Sequence, residues 1–139
     1  MEAIQVRKEP ISVFSASAGA GKTFRLVAEY LSIALCNVNE PHKFREILAL
    51  TFTNKAANEM KRKILEALKE FSNKDRFGKF KEIGETVCSI LNISTSELEY
   101  RSKLVIEEML HDYGSIGIGT IDQFTHRLVR TFSLELGLP

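Results

Sequence analysis

Apolar positions change period along this 139-residue chain, and the changes lay out its elements. Ile11-Ser12-Val13-Phe14 is a short β-rich run that predicts a strand at 11–15. From Lys22 onward, Leu26, Val27, Tyr30, Leu31 and Ala34 recur every three or four residues, the stripe of an amphipathic helix that fades near Cys36. Asn39 and Pro41 break that pattern. Ile47-Leu48-Ala49-Leu50-Thr51-Phe52-Thr53 is nearly continuous in apolar character and ends polar, as a parallel strand covered on both faces would. Asn54 is placed to cap a second helix with the stripe Ala57, Met60, Ile64, Leu65, Leu68 and Phe71. Its lysines and arginine, Lys55, Lys61, Arg62, Lys63 and Lys69, fall mostly around the other faces. Strand, short loop and helix, twice over, predict an α/β fold with a parallel sheet flanked by helices.

Residues 72–114 read differently. The polar Ser72-Asn73-Lys74-Asp75-Arg76 opens them, and two helices follow in place of strands. The first carries Phe80, Ile83, Val87 and Ile90 on one side. The second starts at a capping box, Ser94 with Glu97 or Ser96 with Glu99, carries Leu98, Val105, Met109 and Leu110, and stops near Gly114. This stretch is expected to be a helical insertion on the flank of the sheet. Strand character returns at Ile116-Gly117-Ile118-Gly119-Thr120-Ile121, and Asp122 is expected to cap a last helix bearing Phe124, Leu128 and Phe132, which Gly137 and Pro139 end. Residues 1–139 are one domain in size and read as α/β.

Between the first strand and the first helix lies Ala16-Ser17-Ala18-Gly19-Ala20-Gly21-Lys22-Thr23. Gly19 and Gly21 let the backbone turn tightly and direct consecutive N–H groups at an anion held on a helix N-terminus. Lys22 would reach the β- and γ-phosphate oxygens of a nucleoside triphosphate, and the Thr23 hydroxyl would ligate a magnesium ion bridging them. The strand-loop-helix context is what makes the spacing meaningful. The first position of the motif is Ala16 in place of glycine.

Composition narrows the choice of partner. Nineteen basic residues against 18 acidic ones give a net charge of +1, so any nucleic-acid surface must be local. Cys36 and Cys88 have neither metal-ligand spacing nor a disulfide framework around them and are expected as buried free thiols. No apolar run approaches the ~18 residues of a membrane span, and Met1-Glu2-Ala3-Ile4-Gln5 lacks a signal-peptide layout, so no membrane association and a cytoplasmic setting are expected.

The segment ILALTFTNKAANEMKRK resembles the second motif of the UvrD/Rep class of superfamily-one DNA helicases. ASAGAGKT and IGTIDQFTHRLVR resemble the flanking motifs of that class in the same order, and the terminal RTFSLELGLP is similar to the RecB/AddA branch, the ATP-dependent helicase-nucleases of DNA repair and recombination. The resemblance implies a RecA-like P-loop NTPase that binds ATP and magnesium. It implies nucleotide contacts from Ala16, Ser17, Ala18, Gly19, Ala20, Gly21, Lys22, Thr23 and Phe24, of which Lys22 and Thr23 serve catalysis. Single-stranded DNA contacts would come from Thr51, Phe52, Thr53, Asn54 and Lys55. From alternation alone, Phe52 is as readily a strand core residue. From the third motif the resemblance implies DNA-backbone contacts by Thr120, Gln123 and His126, with capping favoured for Asp122. Arg25, Arg127 and Arg130 are possible nucleotide or DNA ligands, but a charged helix face explains them more cheaply. Phe24 stands where many relatives place arginine, and an adenine-reading glutamine motif is not evident upstream.

Hydrolysis also needs a carboxylate pair at a strand end and an arginine finger. Glu107, Glu108 and Asp112 sit instead in a polar helical context. The chain is therefore expected to be the amino-terminal part of a longer protein, completed by a second RecA-like domain of the same polypeptide and, in a helicase-nuclease, by a partner subunit. By itself it would be inactive. A small-molecule kinase or a nucleotide-dependent binding module would also use the cradle, but a kinase leaves TFTNKAANEM unexplained.

Overall fold

The computed structural model describes residue 11, residues 20–73 and residues 78–137. The cradle positions Ala16, Ser17, Ala18 and Gly19, the rest of the strand expected at 11–15, Lys74 to Arg76 and Pro139 lie outside the described residues. The order is α1 (Ala20–Ala34), β1 (Ala49–Thr51), α2 (Asn54–Phe71), α3 (Lys81–Leu91), α4 (Thr95–His111), β2 (Ile118–Thr120) and α5 (Ile121–Glu135), with 3-10 turns at Lys43–Glu46 and Tyr113–Ser115. The strands pair in parallel, Ala49 with Ile118, Leu50 with Gly119 and Thr51 with Thr120. Both are shorter than the apolar runs at 47–53 and 116–121. Ile47 still closes the preceding 3-10 turn by donating its N–H to Phe44 O, and Phe52 and Thr53 already turn toward α2.

The strands approach closely because Gly117 has no side chain: a Cβ there would collide with the Ile47 carbonyl oxygen. On the packed side, the four helices α1 to α4 share one apolar cluster that includes Val27, Leu31, Ile64, Leu68, Val87, Leu91, Val105 and Met109. Burying a side chain of this kind stabilises by roughly 1.5–3 kcal/mol. The helical pair α3–α4 is thus core-forming.

The buried stripes follow the 3.6-residue repeat with small phase corrections. In α1, Leu26 is exposed, and Val27, Tyr30, Leu31, Ala34 and Leu35 form the buried face. Ala67 joins α2's stripe while Leu65 only flanks it, and Leu91 replaces Ile90 as the last core residue of α3. On α4, Leu110 faces solvent. Ser94 rather than Ser96 caps that helix, accepting from Glu97 N at 3.1 Å, and α4 ends at His111, before Gly114.

Arg101 ties α4 to α1. It is only 7% exposed, and it donates from Nη1 to Leu35 O (2.9 Å) and Cys36 O (3.2 Å) and from Nε to Glu97 Oε1 (2.9 Å). A guanidinium on the two carbonyls that follow α1 satisfies acceptors left orphaned where the helix ends, and its charge complements the negative end of the helix dipole. Cys36 and Cys88 are thiols outside any disulfide and half-buried, short of the full burial expected, and burial pushes the Cys36 thiol above its ordinary pKa. Among the described residues, no helix is long and apolar enough to cross a membrane.

Candidate functional site

Both strands end in threonine, and both threonines sit at the same edge. Thr51 and Thr120 are register partners, and from each the chain enters a helix within a few residues. That edge, at the carboxyl ends of parallel strands, is where open α/β sheets bind ligands.

The first exit is held by hydroxyls. Thr51 Oγ1 donates to Thr53 O at 2.9 Å, and Thr53 Oγ1 accepts from Ala56 N at 3.1 Å as the N-cap of α2. The second exit is a reciprocal capping box: Gln123 N donates to Thr120 Oγ1 at 3.2 Å and Thr120 N donates to Gln123 Oε1 at 3.0 Å. The caps are therefore Thr53 and Thr120, correcting the expectation for Asn54 and Asp122. The reason lies in the backbone. A cap keeps the extended dihedrals of the departing strand, as Thr53 (φ −121°, ψ 149°) and Thr120 (φ −90°, ψ 159°) do, whereas Asn54 and Asp122 are already helical. Gly119 leaves room for the box, since a Cβ there would stand 2.8 Å from Gln123 Oε1.

This arrangement opens a cleft of about 780 Å³ between the first exit and α5, lined by Phe52, Thr53, Asn54, Thr120, Asp122, Gln123, His126, Arg127, Val129 and Arg130. Phe52 is 89% exposed, because β1 has ended one residue before it. It is not a core residue. Thr120 is buried, with both its hydroxyl and its amide consumed in the box, so it sets the shape of the edge more than it offers a group outward. Gln123 keeps its amide NH₂ for the cleft. Of the other expected DNA residues, Thr53, Asn54 and His126 line the cleft and are exposed; Thr51 and Lys55 do not line it. Lys55 is exposed in the first turn of α2. A second groove of about 380 Å³ shares Asn54, Thr120, Gln123 and Arg127 with the first and runs to Lys61, whose ammonium lies 4.2 Å from the centre of the Tyr113 ring.

Helix termini set the electrostatics. Neither α1 nor α2 carries an acidic residue in its first turn, whereas α3, α4 and α5 carry Glu82, Glu97 and Asp122. The positive ends of α1 and α2 are thus unneutralised, and each adds a lysine, Lys22 or Lys55, both exposed. Gly21 is open, with nothing within 4 Å of a Cβ built on it; Thr23 is half-buried, and Phe24 packs against the core. This donor set suits an anion and a hydroxyl-bound cation. Arg25 pairs with Glu29 at 3.0 Å. The acids of α4 are committed elsewhere: Asp112 and Glu108 flank Arg45 at 2.9 and 3.7 Å. Among the described residues, no cluster of three or more His, Cys, Asp or Glu could hold a metal ion.

Reading the sequence for the cleft did not single out Val129, and it ranked a ligand role for Arg127 and Arg130 below a charged helix face. The signal was available in Thr120-x-x-Gln123. That box fixes the phase of α5, and once the phase is fixed the 100° step puts residues 122, 123, 126, 127 and 130 on one face.

The chain matches the UvrD/REP helicase N-terminal domain over residues 1–138. It is 34% identical over 141 residues to the RecBCD enzyme subunit RecB of Haemophilus influenzae, covering 92% of this chain and 11% of that protein. To an ATP-dependent helicase/nuclease subunit of Streptococcus suis it is 32% identical over 138 residues, covering 99% of this chain and 9% of that protein. The corresponding helicase/nuclease subunit of Streptococcus uberis is 30% identical over 139 residues, 100% of this chain and 9% of its own length. The chain thus spans about a tenth of the length of these relatives. No solved structure matches. With a match running almost from end to end and two strands delivering helices to one edge, the chain belongs to the UvrD/REP helicase N-terminal domain family.

Proposed function

We propose that this chain is the ATP-binding and single-strand-binding part of an ATP-dependent DNA helicase or helicase-nuclease acting in DNA repair and recombination in the cytoplasm. The observation that carries the reading is Phe52: an aromatic ring 89% exposed at the carboxyl edge of a parallel strand, in a cleft whose far wall is cationic. An aromatic left in water at a polar, concave edge serves to stack on a flat ligand, and a base of any sequence provides one. Thr53, Asn54, Gln123 and His126 offer hydrogen bonds to the sugar-phosphate backbone, Lys55 adds charge at the head of α2, and Thr51 and Thr120 hold the two exits in place.

On this reading the fold is the N-terminal part of a RecA-like P-loop domain, with α3 and α4 as its helical insertion. Ala16 to Ala20 would supply backbone amides, Gly21 an open approach, Lys22 the charge on the phosphates and Thr23 the hydroxyl for magnesium, beside Phe24, which packs against the core. When bound, ATP supplies the free energy of its hydrolysis. Lys22 neutralises charge that builds on the phosphate oxygens. The carboxylate groups that orient water for the reaction are not Glu108 and Asp112, which Arg45 engages on the side of α4. Those groups and the arginine finger belong to the second RecA-like domain and the rest of a full-length polypeptide, where closure of the two domains steps the motor along one strand and parts the duplex, alone or with a helicase-nuclease partner subunit.

The test is fluorescent-ATP binding with magnesium, by the native chain and by Lys22→Ala, beside binding of a labelled single-stranded oligonucleotide. Nucleotide binding lost in Lys22→Ala, with oligonucleotide binding retained, is the expected result. Equal nucleotide binding by both proteins would refute the cradle.

A further inference from the structure

We propose that Arg127 and Arg130 are the phosphate grip of this track, and that Asp122 confines the backbone of the bound strand to their end of the cleft. The proposal rests on the single-strand reading above and adds to it the wall opposite Phe52.

The argument begins with the two faces of α5. At 100° per residue, Asp122, His126, Arg127 and Arg130 cluster about one direction, while Ile121, Phe124, Leu128 and Phe132 cluster roughly 180° away. The structure bears out that division: the charged residues line the cleft, whereas none of the four apolar residues does, and of those four only Phe124 is half-buried. The apolar face is therefore free to be covered by other protein without closing the cleft.

Arg127 and Arg130 are exposed, and no ion pair among the described residues engages either one. By contrast, Arg25, Arg45, Arg62 and Arg101 all hold carboxylates. Two uncommitted guanidiniums one turn apart, facing a concave surface, match the bidentate geometry of phosphodiester oxygens. Arg127 also lines the adjoining groove and so stands at the junction of the two depressions, where a strand passing from one to the other would cross.

Asp122 completes the pattern. It is exposed, in the first turn of α5, and lines the same cleft. Its carboxylate repels phosphate, so the backbone is driven toward the second and third turns, leaving a base to enter between Phe52 and Val129. Positive charge at one end and negative at the other give the track an orientation that Thr53 and Asn54 alone do not.

The experiment is a salt titration of the 139-residue chain with a fluorescent oligothymidylate, read by anisotropy. Each of Arg127→Gln and Arg130→Gln is expected to flatten the slope of log affinity against log salt by about 0.7, the counterion release of one single-strand phosphate contact. Arg127→Lys keeps the slope but weakens binding. Asp122→Asn tightens binding about two- to fivefold at low salt, as removal of one exposed like charge should. Lys69→Gln, at the far end of α2, leaves the slope unchanged. All these side chains are exposed, and a thermal melt confirms that folding is unaffected. If the native chain binds and Phe52→Ala weakens it while both glutamine variants keep the full slope, the arginine grip is wrong and the single-strand reading stands. If the native chain does not bind oligothymidylate, both fall.

Discussion

Replacing Phe52 with alanine removes a ring that is 89% exposed and so contributes little to the core. Full burial of a phenylalanine is worth roughly 1.5–3 kcal/mol, so about a tenth of that, ~0.3 kcal/mol, is at stake for folding, or about 1 °C in Tm for a chain this long. For binding, loss of one stacked base costs roughly 1–3 kcal/mol, or about 5- to 150-fold in affinity. The two magnitudes differ enough to separate the roles. Phe52→Leu, which keeps apolar area but not the π face, is expected to resemble the alanine variant, and Phe52→Trp to restore or improve binding. The assay pairs oligothymidylate anisotropy with a thermal melt of each variant. A drop in Tm of more than about 5 °C would return Phe52 to the core. Unchanged affinity with an intact fold would dismiss stacking.

Two further substitutions probe the scaffold beneath the edge. Arg101→Met strands the Leu35 and Cys36 carbonyls; with the partly exposed Glu97 pair discounted, the expected loss is about 2–4 kcal/mol in urea unfolding, and a loss below about 1 kcal/mol would contradict the clamp. Tyr30 is 3% exposed, and its hydroxyl has no hydrogen-bond partner among the described residues, so Tyr30→Phe is expected to be neutral or stabilising by about 1 kcal/mol. Burial also raises the Tyr30 pKa well above its ordinary value, so the folded chain holds a proton that the unfolded chain releases above pH ~10. Native stability should therefore fall as pH rises past that point, less steeply in Tyr30→Phe; equal alkaline slopes would refute the assignment.

Much of the fold was legible because α1 to α4 each bury one stripe. Val27, Met60, Val87 and Val105 fall where the 3.6 period puts them, and errors such as Leu26 and Leu110 are one step off the stripe. The strands were legible in place but not in length, since a parallel ladder lasts only while both partners are present, three residues here. At the edge, Asn54 and Asp122 drew the capping roles because their side chains are good caps, yet backbone conformation decides, and the extended residues are Thr53 and Thr120. Phe52 could not be resolved from alternation, because its exposure depends on the strand ending at Thr51. Arg127 and Arg130 were legible only as possible ligands, ranked below a charged helix face, because nothing in the sequence shows the cleft they line. On α5, the apolar stripe was plain, but the described residues bury only Phe124 in part.

Where the strand lies can be read directly by ultraviolet crosslinking of an oligonucleotide carrying a photoreactive thymidine, with the attached peptides identified by mass spectrometry. Adducts are expected at Phe52 and within residues 122–130, reduced by Phe52→Ala and by excess unlabelled oligothymidylate. Competable adducts confined to α3 and α4, with none at the ends of β1 and β2, would contradict a single-strand track at this edge.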